Sequence, residues 1–215
     1  MLFLVENDGV LILSGIEPTE IEIKTADNNS VTAENNADIL NVNGRLVKLS
    51  NLTLKDSKTA AIIANSAVFQ AINASFANMN NGAVKNAGNA SFSGKNDFVN
   101  NSVAAGNGGA LNLEKESRTK FSDSFLFENN TVATGNGGAI YGDGSLYFGD
   151  QNKLISAVFT NNTAIDGGAV LLMKMENLLV TANLYSDRIR SLTVIRRQTT
   201  AARFIIRGKC LLWVL

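Results

Sequence analysis

One stretch decides the fold: Phe127-Glu-Asn-Asn-Thr-Val-Ala-Thr-Gly-Asn-Gly-Gly-Ala-Ile140. Two further copies of the same pattern begin at Phe98 and Phe159 and end at Leu111 and Val170. Each copy has an aromatic residue, a pair of asparagines and then Gly-Gly-Ala followed by an aliphatic residue. Self-similarity at a period of about 20–50 residues is typical of stacked repeat architectures, so the sequence predicts a solenoid.

The spacing between the copies indicates the size of one coil. Phe98 follows a degenerate copy at Phe76 by 22 residues, which is close to the coil length of a right-handed parallel β-helix. The later spacings of 29 and 32 residues indicate one coil plus an outward loop, which we expect at Glu114–Lys120 and Gly142–Gly144. Short apolar runs bounded by turn residues also favour an all-β chain. We therefore predict an all-β, right-handed parallel β-helix over about residues 20–180.

The recurring residue types fit the cross-section of such a coil. Parallel strands lie about 4.8 Å apart, so identical side chains of successive coils stack on one another. We expect an internal aromatic stack, an amide ladder formed by one or the other asparagine, a bend at Gly-Gly, and alanine where the interior is tight. The repeat-motif residues proposed as the candidate site are Phe98, Asn101, Gly108, Gly109, Ala110, Phe127, Asn130, Gly137, Gly138, Ala139, Phe159, Asn162, Gly167, Gly168 and Ala169.

Composition divides the chain into three predicted parts. Residues 1–26 read as N-terminal strands or a cap, residues 27–176 as the β-helix repeat region, and residues 177–215 as a basic tail outside the repeat. From Leu171 onward the chain has eight Lys or Arg residues and two acidic ones, and it keeps none of the repeat pattern. We expect this tail to be disordered or to be a frameshifted end, and the β-helix to be truncated.

The composition argues against an enzymatic site. The chain has no histidine, which removes the commonest general base and metal ligand, and its one cysteine excludes an intrachain disulfide. A β-helix enzyme needs carboxylates clustered on one face, and the candidates Asp143, Asp150 and Asp166 all suit turn positions. We predict no catalytic residue, no cofactor and no metal site. A carbohydrate-active enzyme of the polysaccharide lyase or hydrolase kind is the alternative if these carboxylates converge.

The paired motifs Phe-x-x-Asn and Gly-Gly-Ala-aliphatic resemble the repeats of the chlamydial-type polymorphic outer membrane proteins. The resemblance covers about residues 76–170 and rests on Phe98–Asn101 with Gly108–Leu111, and on the equivalent pairs beginning at Phe127 and Phe159. It implies an autotransporter with a signal peptide, a β-helical passenger at the cell surface and a C-terminal barrel in the outer membrane. In adhesive members of that family, the tetrapeptides themselves are implicated in binding.

By this resemblance we expect a non-enzymatic adhesin and antigenic passenger fragment at the cell surface, the outer membrane or the extracellular region. Its expected partner is a protein or glycan of a host or neighbouring cell and not nucleic acid, with self-association at the open end of the stack. We expect that this chain lacks a signal peptide and is too short to contain the barrel as well. Contact with the outer membrane is then expected only through a barrel that is missing from this chain. A structural spacer without binding activity is the second alternative.

Overall fold

The computed structural model of the chain describes residues 2–4, 20–24, 30–32, 36–43, 46–149, 155–172, 178–186, 192–194, 202–206 and 212–214. Side chains are described in 30–32, 36–43, 46–149 and 155–172, and the other ranges are strands described by their backbone pairing. Within these ranges the chain consists of short strands joined by turns, and paired strands run parallel. The prediction of an all-β parallel β-helix is confirmed.

Three ladders of parallel strands form three faces of the stack. The first face contains β1 (Leu2–Leu4), β2 (Glu20–Lys24), β5 (Leu46–Ser50), β8 (Val68–Ile72), β11 (Asn89–Ser93), β15 (Arg118–Phe121) and β19 (Ser145–Phe148). The second face contains β3 (Ser30–Val31), β6 (Thr53–Lys55), β9 (Ser75–Ala77), β12 (Asn96–Val99), β16 (Phe125–Glu128) and β20 (Ile155–Thr160). The third face contains β4 (Leu40–Val42), β7 (Ala61–Ile63), β10 (Val84–Asn86), β14 (Leu111–Leu113), β18 (Ile140–Gly142), β21 (Val170–Leu172), β23 (Leu192–Val194) and β25 (Leu212–Val214).

Most of the strands whose side chains are described alternate between the interior and the outside of the stack, as the period of two in a strand predicts. In β8, Phe69 and Ala71 are fully buried while the residues between them are partly exposed. The register then repeats this choice on the next coil, where Ala90 pairs with Phe69 and Phe92 pairs with Ala71. Large and small side chains therefore alternate along the interior of the first face, which lets successive layers interlock.

Phenylalanine rings fill the centre of the stack. Phe98 and Phe127 lie parallel with ring centroids 4.5 Å apart, and Phe76 and Phe159 extend this column at 4.7 Å and 5.2 Å. All four rings are at most 2 % exposed. Burial of such a side chain contributes about 1.5–3 kcal/mol, so this column is a main source of stability. The expected internal aromatic stack is present.

Only a few of the extra residues of the longer coils lie in the predicted loops, such as the two that lengthen the turn between Leu113 and Arg118. The expected outward loop Glu114–Lys120 contains the start of β15, and Gly142 ends β18. Most of the added length instead follows the second asparagine of the motif, where β13 (Ser102–Asn107) and β17 (Thr131–Asn136) pair with each other. The two segments have equal length and nearly the same sequence, so they form a short ladder of their own rather than irregular loops.

Backbone strands from the predicted tail continue the ladders. β22 (Leu178–Ser186) pairs with β19 through its first residues and with β20 through its later ones. β24 (Ala202–Ile206) pairs with β22, and β23 and β25 extend the third face beyond β21. The boundaries proposed at residues 26 and 176 stay predictions.

Candidate functional site

The Phe-x-Asn-Asn corner places its two asparagines in opposite environments. Asn129 is exposed and has a left-handed backbone with φ of 54°, whereas Asn130 is fully buried. The same left-handed conformation recurs at Asn78, Asn100 and Asn161. Asparagine enters this region of the backbone map more easily than other side-chain-bearing residues, and this explains its recurrence at the corner.

The buried asparagines form a continuous amide ladder. Asn130 donates from Nδ2 to the Phe98 carbonyl and to Asn162 Oδ1, both at 2.9 Å. Its Oδ1 accepts hydrogen bonds from the backbone N–H and the Nδ2 of Asn101, at 3.1 Å and 2.9 Å. The Asn130 side chain therefore uses both donors and both acceptor positions inside the wall. Asn101 begins the ladder by accepting from the Met79 N–H at 3.1 Å.

The exposed asparagines form a second ladder on the outside of the same corner. Asn129 donates to Asn100 at 3.1 Å, Asn100 to Asn78 at 3.3 Å, and Asn78 to Asp56 at 2.8 Å. The sequence left open which asparagine of each pair would form a ladder, and both do. The inner ladder holds the wall together, while the outer one lines the surface with amide groups.

The Gly-Gly-Ala segment is required by the shape of the backbone. Gly137 has a positive φ of 66°, which disfavours any side chain at that position. Gly138 has an ordinary φ, but a Cβ added there would clash with the Gly168 carbonyl of the next coil. Ala139 is fully buried between coils. This agrees with the expected bend and tight interior.

The structure brings the candidate site residues together inside the wall. Fourteen of the fifteen are buried, and Gly168 is partly exposed. The side chains that define the motif are therefore covered in the folded chain, and their adhesive role stays a prediction. The exposed parts of each copy are instead the first asparagine and the tip of the added ladder, Ala104–Gly106 and Ala133–Thr134.

The predicted carboxylate candidates do not form a cluster among the described residues. Asp143 follows the C-terminal end of β18, whereas Asp166 precedes the N-terminal end of β21. The two carboxylates therefore lie at opposite edges of the third face. Asp150 lies outside the described residues. In the part of the chain that the structure describes, no group of three or more His, Cys, Asp or Glu side chains could hold a metal ion.

Two ionisable side chains on the outside of the third face are perturbed. Burial lowers the pKa of Lys85 from its usual 10.5, a shift that Asp38 and Glu114 oppose. Burial raises the pKa of Tyr141 from its usual 10.0, and the nearby Asp143 carboxylate raises it further. Partial desolvation on this face therefore disfavours the charged form of both groups.

An open groove of about 510 Å³ lies on the outside of the first face. Its lining includes Val68, Asn89, Ser91, Arg118, Lys120 and Tyr147. Sequence reasoning missed this groove because its residues come from four strands, β8, β11, β15 and β19. The available signal was the alternation in Arg118-Thr-Lys120, which places two cations on the same side of one strand.

The register places these polar side chains in two rows that run across the coils. Lys120 pairs with Ser91 on one side and Tyr147 on the other. Arg118 pairs with Asn89 and Ser145 in the neighbouring row. None of the strands β5, β8, β11, β15 and β19 contains an acidic residue, so this part of the first face is positively charged.

One comparison with known proteins finds a match. The family model of the Chlamydia polymorphic membrane protein repeat matches residues 124–143, which contain the complete copy from Phe127 to Ile140. No curated protein and no solved structure matches the chain. The predicted resemblance is confirmed for this segment. Within the described residues, no helix has the length and apolar character needed to cross a membrane.

Proposed function

We propose that the chain is a passenger-type β-helix of a polymorphic membrane protein, with a non-enzymatic role in adhesion and antigenic display. The observation that carries the proposal is the repeat matched at residues 124–143, whose copies stack in register through Phe127 and Asn130. Such repeats belong to proteins of the outer membrane and cell surface, and this supports an autotransporter-like, surface-exposed or secreted location. The proposed partner is a protein or glycan on a host or neighbouring cell.

The wall of the stack suits display rather than chemistry. Its recurring motif is built from buried side chains, while the exposed positions differ from coil to coil: Asp97, Leu126 and Val158 occupy equivalent outward positions of the second face. A rigid scaffold with variable outward positions presents a large surface at fixed spacing. This arrangement supports binding to an extended surface on another cell.

A cell-binding assay with the full 215-residue chain tests the proposal. Fluorescently labelled chain should bind cultured epithelial cells saturably, and unlabelled chain should compete for the same sites. The control is an unrelated parallel β-helix of similar size and net charge. Binding no greater than that of the control would contradict adhesion and favour a structural spacer.

A further inference from the structure

We propose that the groove on the first face binds an acidic carbohydrate through its sulfate or carboxylate groups, with Arg118 and Lys120 as the anion-binding residues. The proposal rests on the adhesive function proposed above and names a ligand class for it. It assigns the recognition of that ligand to side chains outside the repeat motif.

Several lysines elsewhere on the described surface lie close to a carboxylate, whereas Arg118 and Lys120 do not pair with any described carboxylate. Lys95 lies 3.1 Å from Asp97, Lys115 lies 3.7 Å from Glu116, and Lys58 lies 3.7 Å from Asp38. Among residues whose side chains are described, neither Arg118 nor Lys120 forms an ion pair. Both are exposed and project from the same side of β15. Two adjacent cations without counterions favour an anionic ligand.

The surroundings of the two cations suit a sugar. Tyr147 lies beside Lys120 and offers an aromatic surface with a hydroxyl group, while Asn89 and Ser91 supply an amide and a hydroxyl. Val68 adds apolar surface at the other end of the groove. Small-ligand sites commonly enclose about 300–1,000 Å³ and combine such surfaces with a few polar groups. The groove of about 510 Å³ is therefore of suitable size for a short saccharide.

The position of the groove favours a carbohydrate over an acidic peptide. The groove lies in the middle of the first face, where β11 and β15 are each paired on both sides. No backbone edge is free there, so an extended peptide could not add as a strand, which is a common mode of peptide recognition. Recognition must come from side chains, and guanidinium and ammonium groups bind sulfates and carboxylates through charge-assisted hydrogen bonds.

Isothermal titration calorimetry of the full chain tests the proposal. The probes are a heparin tetrasaccharide, a trigalacturonate, a neutral maltotetraose and a hexaglutamate peptide. We expect binding of at least one of the two acidic sugars, weakening as NaCl rises through 0.1 M, where the Debye length is about 10 Å. A response to the sulfated sugar alone or to the carboxylated one alone identifies the anionic group. Preference for hexaglutamate, or equal binding of maltotetraose, would overturn the proposal.

Matched variants locate the site. Arg118→Gln with Lys120→Gln should weaken acidic-sugar binding by about tenfold or more. Lys95→Gln with Lys115→Gln removes the same formal charge elsewhere and should change it by less than about twofold. The exchange Arg118→Lys with Lys120→Arg keeps both charges and should retain most of the binding, provided that thermal melting shows all variants folded. Equal losses in the groove and control variants would place binding outside the groove.

The cell assay separates this proposal from the adhesive function. If the full chain binds cells but the groove variant binds them equally well and acidic sugars do not compete, the groove proposal fails while adhesion stands. If the chain binds acidic sugars through Arg118 and Lys120 but not cells, the groove proposal stands and the adhesive function fails.

Discussion

Asn129 and Asn130 are neighbours in sequence, yet they have different structural tasks. Asn129 supplies a left-handed corner on the surface, and Asn130 supplies four hydrogen bonds within the wall. A buried polar group that loses a partner costs about 1–3 kcal/mol, whereas an exposed one can turn to water. The two positions should therefore respond differently to mutation.

Asn130→Ala should destabilise the chain by about 3 kcal/mol or more, because it removes four buried hydrogen bonds that the Asn130 side chain makes with Asn101, Asn162 and the Phe98 carbonyl. Asn129→Gly, which keeps the left-handed backbone accessible, should cost less than about 1 kcal/mol. Urea unfolding monitored by circular dichroism measures both. Similar losses from the two variants would contradict the division of roles.

The second glycine of Gly-Gly-Ala offers another matched pair. A methyl group at Gly138 would clash with the Gly168 carbonyl of the next coil, whereas at Gly168 the nearest atom among the described residues is the Asn162 carbonyl oxygen at 3.4 Å. Gly138→Ala should therefore lower the free energy of unfolding by about 2 kcal/mol or more, and Gly168→Ala by less than about 1 kcal/mol. A comparison of urea midpoints decides this, and the reverse order would disprove the packing explanation.

Lys85 should give the stability a distinctive pH dependence. Its folded-state pKa lies below the usual 10.5, so the unfolded chain holds this proton more tightly and stability rises as pH increases through the folded pKa towards 10.5. Lys85→Met lacks this term, so wild type should gain stability relative to the variant between pH 7 and the alkaline range. Unfolding of both proteins at several pH values tests this. A stability difference that does not change with pH would show that burial of Lys85 is unimportant.

At the scale of the element, β13 and β17 form an addition to a regular coil. The segment from Phe98 to Ala110 is five residues longer than the one from Phe76 to Ala83, although both alanines occupy equivalent positions. The addition lengthens the path between the second and third faces without changing the register of either face. Its removal should therefore leave the register of the flanking faces unchanged, although it removes the contacts that the added segments make with each other and with the next coil.

Deletion of residues 103–107 should destabilise the chain because β17 loses its pairing partner. Deletion of 132–136 together with 103–107 returns both coils to the shorter form. The double deletion should then cost less than the sum of the two single deletions, by about 1 kcal/mol or more. Thermal and urea unfolding of the three variants provide the comparison, and strict additivity would show that the pair contributes no energy of its own.

The elements also show what the sequence could and could not predict. The repeat pattern was enough to predict the aromatic column, because Phe98, Phe127 and Phe159 each stand at the start of a copy, before the asparagine pair and the Gly-Gly-Ala segment. It missed most of the insertion, because Ser102–Asn107 consists of small residues and its Gly106-Asn107 was assigned to the Gly-Gly-Ala bend rather than to a projection. It also missed the groove, because Arg118 and Tyr147 are brought together only by pairing between coils.

At the scale of the whole molecule, each coil depends on its neighbours for hydrogen bonds and for coverage of its core. β22 covers β19 and β20, and β23 covers β21. A chain that ends at residue 176 lacks all of these partners and exposes three strand edges beside Phe148, Phe159 and Leu172. Unpaired apolar edges promote association between chains.

The chain ending at residue 176 should therefore melt at a lower temperature than the full chain and should scatter more light at the same concentration. A chain ending at residue 200, which retains β22 and β23, should fall between the two. Differential scanning fluorimetry and static light scattering measure these properties. Identical melting and scattering for all three would show that the last strands add nothing to the stack.

The inner amide ladder affects how the number of coils can change during evolution. Each asparagine of the inner ladder offers its side-chain oxygen to one neighbouring coil and its side-chain N–H groups to backbone or amide oxygens. Removal of the 29 residues 101–129 would therefore set Asn130 directly after Asn100, where it could bond to Met79 and Phe76 as Asn101 does now. The shortened chain would keep every bond type at the new junction. Unequal crossing-over between repeat copies in a gene can thus remove or duplicate a whole coil and still leave the asparagine hydrogen bonds at the junction paired. The number of coils in such a protein can therefore change during evolution, one coil at a time, while the cross-section of the stack stays the same.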